Sequence, residues 1–285
     1  MAALIALLAS LLFAVTHILF RRGLIASNAI AGSIFSLTMS VIILWSVAPF
    51  FLSWSSFRSP AFWYFVAAGI LAPGLGRTLS FLAMERVGVA RAVSIVNSAP
   101  IFASIFAVIL LGEVWPLQNM LGTCLVVLGV VILSLPGRKE RQWRTIDLYY
   151  PILGAFLYAG ATNLRKFGFV LDNAPFMAAV VTATAALLCA PVMLRTKVGR
   201  EIFALPRSSF GWFLAASIVN TVAMFLSIYA LSFGKLVIVE PLVGTNPVLT
   251  VVLSAIFLRD LEAVTLPILI GTACTVLGTI LVVTL

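Results

Sequence analysis

Gly122-Thr-Cys-Leu-Val-Val-Leu-Gly129 returns near the end of the chain as Gly271-Thr-Ala-Cys-Thr-Val-Leu-Gly278, with five of eight positions identical. The likeness extends outward from these two stretches. A shift of 145 residues lays Phe13-Ala14 over Tyr158-Ala159 and Arg21 over Lys166, and a shift of 147 lays Pro100 over Pro247 and Glu113 over Asp260. Self-similarity at a long fixed period marks a duplicated unit. The chain therefore reads as two homologous halves, 1–135 and 149–285, joined by a basic connection at 136–148.

What each half is made of follows from composition. The 285 residues are 62% hydrophobic and 9% charged, with a mean hydropathy of +1.18, more apolar surface than a soluble domain buries in one core. The apolar residues fall in blocks close to the roughly 20 residues that cross a bilayer as a helix. Cutting at polar connections gives ten spans: Ala2–Phe20, Ile30–Leu52, Ala61–Met84, Ala92–Leu111, Pro116–Leu135, Tyr149–Phe169, Pro175–Leu194, Phe210–Phe233, Leu236–Leu258 and Leu266–Leu285. Barrel strands are excluded, being about ten residues long with alternating polarity. The expected fold is an all-α integral membrane protein of ten transmembrane helices arranged as two five-helix repeats. Because five is odd, the second repeat enters the membrane from the opposite side, which makes the repeats inverted, an architecture of secondary transporters.

The net charge of +9 comes from residues in short connections, where it sets topology rather than binding nucleic acid. Connections after odd-numbered spans hold thirteen Lys and Arg; those on the other side hold Arg58, Arg165, Lys166 and Lys235. The positive-inside rule then places both termini outward. Met1 to Phe20 has no basic leader and reads as a retained first span. Cys124, Cys189 and Cys274 lie inside apolar blocks without metal-site spacing and read as packing residues. Gly234-Lys235 is followed by Leu236, so no phosphate-binding loop exists to drive a pump. An enzyme is not expected, since no H-E-x-x-H pair, nucleophile elbow or acidic metal cluster appears, and no cofactor is implied.

Ala99-Pro100, Ile109-Leu-Leu-Gly-Glu113 and Leu121-Gly122 to Leu133 recur in pattern as Asn246-Pro247, Ile256-Phe-Leu-Arg-Asp260 and Ile270-Gly271 to Val282. In these paired motifs the chain resembles the drug/metabolite transporter superfamily, in its EamA-like ten-span branch. The resemblance covers nearly the whole chain and implies an exporter of amino acids, other metabolites or toxic organic compounds. It also implies termini in the cytoplasm, against which the charge count stands. Glu113 matches the family's Gly-Glu turn, and a carboxylate at that point or at Asp260 is suited to cap the following helix. Gly122 with Gly129 and Gly271 with Gly278 line one face of spans 5 and 10, for packing within a monomer or along a dimer seam, the monomer being the expected form.

Polar chemistry enters the apolar blocks at few points. Pro73 in span 3 and Pro100 and Pro247 in spans 4 and 9 remove amide donors, freeing carbonyls at Gly69, Val96 and Val243; the shift of 147 puts Asn220 at the matching break in span 8. Such breaks either surround a binding site or bend helices for packing. Beside them stand Asn97, Asn220 and Asn246, with Asn163 in span 6, as amides able to hold a polar solute. Arg77 either clamps a substrate carboxylate or snorkels toward Glu85 and Arg86. Glu240, directly before Pro241, is either a binder of an amine or proton or an interfacial acid, and His17 either a proton relay or a packing residue. Arg21, Arg22, Arg165 and Lys166 read as interfacial anchors, Trp54, Phe57, Phe62, Trp63 and Tyr64 as an aromatic belt, and Arg138-Lys-Glu-Arg141 as a basic topology signal able to touch anionic lipid.

These residues together describe a secondary-active or facilitative transporter that exports small metabolites, amino acids first, by alternating access around a central cavity. Proton coupling is left open between Glu240 and His17. The partners are a small-molecule substrate and the lipid bilayer of a cell membrane, taken as the bacterial inner membrane. The rivals are a multidrug exporter relying on Phe13, Tyr158 and Phe225, and a non-transporting membrane interaction protein.

Overall fold

The computed structural model describes residues 1–27, 29–87, 92, 95–133, 144–191, 206–257 and 266–283. Among these residues the ordered elements are all helical. In chain order they are α1 (Ala2–Gly23), α2 (Ala29–Phe51), α3 (Ala61–Gly69), a π-helical segment (Ile70–Gly76), α4 (Arg77–Val87), α5 (Ala99–Leu111), α6 (Leu117–Leu133), α7 (Tyr149–Leu171), α8 (Pro175–Leu188), α9 (Arg207–Phe233), α10 (Leu236–Val243), α11 (Asn246–Phe257) and α12 (Leu266–Val283). α1, α2 and α9 are by themselves long and apolar enough to cross a membrane. Most of the central basic connection, Arg138 to Arg141 included, and Asp260 lie outside the described residues.

The helices pair in a pattern that survives exchange of the two halves. α1 packs along α9, and the α3–π–α4 rod packs along α7; α10 and α11 lie on α1, and α5 lies on α7; α2 meets α8, and α6 meets α12. Side chains repeat the pattern. A Cβ on Gly23 would lie 2.6 Å from the Phe213 ring, and a Cβ on Gly168 would overlap the Phe65 ring; both rings are fully buried. The quoted glycine stretches meet each other where α6 crosses α12: a Cβ on Gly278 would stand 2.6 Å from the Gly122 carbonyl, and one on Gly129 2.5 Å from the Gly271 carbonyl. Small residues let helix backbones approach to this degree where oil surrounds the bundle.

The largest core cluster gathers the start of α1 (Ala6), the end of α2 (Leu44, Ala48, Leu52), Phe65, Ala107, Phe169, Met177, Leu231 and Leu236 to Leu242. All belong to one end of the bundle, the end at which the chain begins. The other described clusters are small, such as Ala83 and Ala92 with Leu148 and Tyr150. The end at which the chain begins is tightly packed.

The helix breaks depart from the sequence reading in three respects. Pro73 does not interrupt span 3; it sits inside the π-helical segment, whose i→i+5 bonding absorbs a proline by widening the turn. The carbonyls of Gly74 and Gly76 accept the hydroxyls of Thr78 at 3.1 Å and Ser80 at 2.9 Å. Span 8 is not broken at Asn220: α9 runs through it, because asparagine keeps the amide that proline lacks. Spans 4 and 9 are interrupted, but just before their prolines, by turns at 97–98 and 244–245, so Pro100 and Pro247 each sit at the second residue of a new helix, where no amide is missed. The two interruptions touch, since a Cβ on Gly244 would lie 3.3 Å from Pro100 Cγ.

Candidate functional site

Tyr158, Thr162 and Arg165 are spaced by four and three residues and so share one face of α7. Arg165 Nε is buried without a hydrogen-bond partner. Across from this face Glu240 projects from α10; its carboxylate and the Arg165 guanidinium attract each other, and Thr162 lies within its hydrogen-bonding reach. Among the described residues the two charges form no direct ion pair. Both side chains are half-buried. An arginine stays charged in any protein environment, and a buried guanidinium is tolerated only opposite compensating groups. Here Glu240 is that group, at a separation that leaves hydrogen-bonding capacity on both unused.

The residue after Arg165 has a different task. Lys166 Nζ donates to the carbonyls of Leu231 at 3.1 Å and Gly234 at 2.6 Å, the last turn of α9. Glu113 accepts the amides of Leu236 (Oε1, 3.0 Å) and Val237 (Oε2, 3.1 Å), the first turn of α10. Glu113 and Lys166 also attract each other. Gly112 aims Glu113: it ends α5 at φ 65°, and the Glu113 amide returns to the Ala107 carbonyl at 3.2 Å, a left-handed helix stop that favours glycine. Two sequence expectations are corrected by this geometry. Glu113 caps α10 of the other half rather than the helix that follows it, and Arg165 faces Glu240 while Lys166 grips the end of α9, so each engages the protein itself. The signal for Arg165 was present in its shared face with Tyr158 and Thr162; its place near the end of a span masked it.

The remaining candidates separate by what their side chains do. Asn163 is buried, and its Nδ2 donates to the carbonyls of Ala103 and Ala159, both at 3.0 Å, tying α7 to α5 while Oδ1 stays unpartnered. Asn246 Nδ2 donates to the Val243 carbonyl at 3.0 Å, so that acceptor is not free. Thr245, in the same interruption, pairs with Ser10 of α1 at 2.9 Å. His17 Nδ1 stands 3.2 Å from Thr250 Oγ1 of α11, with the His17 side chain exposed. Asn97 is half-buried in the first interruption, and Asn220 and Arg77 are half-buried on α9 and at the start of α4, none with a hydrogen bond among the described residues. The structure therefore brings Glu240 to Arg165 and not to Arg77. Cys124 is exposed rather than packed, while Cys189 and Cys274 are half-buried. The aromatic run makes a chain of rings, with Trp54 on Phe57 at 5.8 Å, Phe57 on Phe62 at 5.8 Å and Phe62 on Trp63 at 5.1 Å, and with both tryptophans exposed.

Comparison with known proteins gives three findings. The EamA-like transporter family model matches residues 1–135 and 146–284. An uncharacterised protein of Methanocaldococcus jannaschii is 32% identical over 131 residues, which are 46% of this chain and 90% of that protein. A solved crystal structure is similar in fold, with a TM-score of 0.78 at 17% identity, covering 99% of this chain and 96% of the other.

Proposed function

The chain belongs to the EamA-like transporter family of membrane proteins, and on that premise we propose that it exports small zwitterionic metabolites, amino acids first, by alternating access. The observation that carries this reading is the attraction of the half-buried Arg165 and Glu240 across two helices without a direct ion pair. A ligand that places a carboxylate on the guanidinium fork and an ammonium on Glu240 satisfies both groups at once. A monovalent cation or an apolar drug satisfies one of them at most. Two inverted five-helix repeats are supported by the exchange of helix pairs between halves, by a family model that matches each half, and by a relative about the size of one half. The positive-inside count supports an outward-facing orientation for the packed end at which the chain begins. Proton coupling would run through Glu240, which releases a proton or an ammonium group but not both.

The test is efflux of a mixed amino-acid pool from preloaded proteoliposomes, with and without a pH gradient, for the native chain, Arg165→Met, Glu240→Gln and Arg77→Ala. Losing one charge-assisted hydrogen bond, about 1.5–3 kcal/mol, lowers transport about tenfold to a hundredfold. We expect that loss in Arg165→Met and in Glu240→Gln, with Arg77→Ala close to native. The absence of zwitterion flux above empty vesicles, or full flux in Arg165→Met, refutes the proposal.

A further inference from the structure

Glu113 belongs to the first half of the chain, while Lys166 and the backbone groups that both grip belong to the second, so Glu113 is the bridge between the halves and Lys166, which attracts it, is its seat. Together they hold the connection at Gly234 and Lys235 from both sides, Lys166 on the last carbonyls of α9 and Glu113 on the first amides of α10. These are the electrostatically favoured ends, cation at a helix C-terminus and anion at an N-terminus. The grip lies at the packed end: Leu231, Leu236 and Val237 are buried, and a Cβ on Gly234 would lie 2.8 Å from Ala2 of α1. Its members are also wired to the candidate site. Lys166 directly follows Arg165 on α7, and Glu240 lies one helical turn after Leu236 on α10, about 6 Å along the axis. Any movement that brings Arg165 and Glu240 together on a ligand rotates or slides the two segments on which this grip depends.

We propose that Glu113 and Lys166 form a latch between the halves that holds this end of the transporter shut, and that occupancy of the Arg165–Glu240 site is what works it. The proposal rests on the transport reading above for its second clause only. α9 carries two buried reporters for the two ends. Ser232 is in its last turn beside the latch, and Ser209 is in its first turn, where its hydroxyl donates to the Gly23 carbonyl at 2.8 Å; 23 residues of helix separate them by about 35 Å. A latch that opens exposes the first and not the second, whereas general loosening exposes both.

The experiment uses the full chain in proteoliposomes with Cys124, Cys189 and Cys274 replaced by alanine, and Ser232→Cys or Ser209→Cys as the single thiol. Its readout is the rate of modification by a membrane-impermeant thiol reagent from each side. Glu113→Gln and Lys166→Met are each expected to raise the Ser232→Cys rate about tenfold, the worth of a charge-assisted hydrogen bond, and to leave the Ser209→Cys rate unchanged or lower. Glu113→Asp keeps the charge and should restore part of the protection, which also covers a Glu113→Gln chain that fails to fold. An equal rise at both reporters, or none at Ser232→Cys, overturns the latch. A saturating zwitterionic amino acid should change the Ser232→Cys rate in the native background and not in Arg165→Met. A latch effect without that response sinks the Arg165–Glu240 reading alone, and a ligand response without a latch effect sinks the latch alone.

Discussion

Replacing Gly278 by alanine tests the crossing of α6 and α12 with a magnitude that the structure supplies. The added Cβ would stand 2.6 Å from the Gly122 carbonyl oxygen, 2.6 Å from the Val126 amide nitrogen and 2.9 Å from Val126 Cγ2, whereas ordinary contact begins near 3.4 Å. Two of the three obstacles are backbone, so no rotamer change relieves them, and the helices must separate by most of an ångström along their whole contact. Overpacking of this kind costs about 1–3 kcal/mol. The alanine recovers about 1 kcal/mol of helix propensity, so the net loss expected is about 0–2 kcal/mol, toward the upper end because two of the three clashes are with backbone. Gly211→Ala in α9 is the matched control, because its Cβ meets nothing within 4 Å and only the propensity gain remains. Thermal unfolding of the purified chain in detergent, followed by tryptophan fluorescence, should therefore move in opposite directions for the two variants, down for Gly278→Ala and up for Gly211→Ala. Adding Gly122→Ala to Gly278→Ala should cost less than the sum of the two, since one separation of the helices serves both methyl groups. A shift in the same direction for Gly278→Ala and Gly211→Ala would refute the close crossing.

Three further outcomes follow from other contacts. Gly168→Ala should lower the melting temperature because its Cβ would overlap Phe65, and Phe65→Leu in the same chain should recover part of the loss by vacating the ring edge. Asn163→Leu should cost about 1 kcal/mol, the hydrogen bond to Ala103, and leave zwitterion efflux near native; a loss of efflux with an unchanged melting temperature would return Asn163 to the transport site. Gly112→Ala should cost about 1 kcal/mol through its left-handed backbone and, by misaiming Glu113, raise thiol modification at Ser232→Cys on one side only; modification on both sides, or on neither, would separate Gly112 from the latch.

The crossing of α6 and α12 was legible in the sequence because close approach tolerates nothing but glycine at its contact points, so duplication preserved Gly122, Gly129, Gly271 and Gly278 as letters. The contacts that shape the site are of another kind. Capping rules are local, and they assign Glu113 to the helix beside it in sequence; the helix it caps begins 123 residues later. Mapping Pro73 onto Asn220 assumed that a duplicated fold breaks at duplicated places, but Pro73 is absorbed by a π-helical turn and α9 runs straight through Asn220, while the interruptions fall at 97–98 and 244–245. Arg165 was read by its distance from a span end, a coordinate that says nothing about which side of the helix faces the interior. Glu240 was visible as an acid inside an apolar block, yet its counter-charge lies on another helix, and pairing across helices is not written in spacing.

The duplication and the candidate site obey different logics, and the difference narrows what the site is able to hold. Helix pairs, glycine crossings and the buried rings Phe65 and Phe213 all return on exchange of the halves. The two charges of the candidate site do not: the shifts of 145 and 147 set Phe20 opposite Arg165 and Val93 opposite Glu240. Both charges of the candidate site thus come from the second half of the sequence. A ligand of uniform charge would be attracted by one group and repelled by the other. A ligand with opposite charges a few bonds apart meets no such penalty, and turning it end for end costs both attractions, so a pair that selected a zwitterion would also fix its orientation. Exchanging the two charges, with Arg165→Glu and Glu240→Arg in one chain, keeps the attraction and reverses that orientation. If orientation matters, the exchanged chain should fold as the native one does and transport glycine, whose two ends differ least in surroundings, better than amino acids with bulky side chains. Equal recovery of large and small amino acids would mean that the pair holds the helices together and does not hold the substrate.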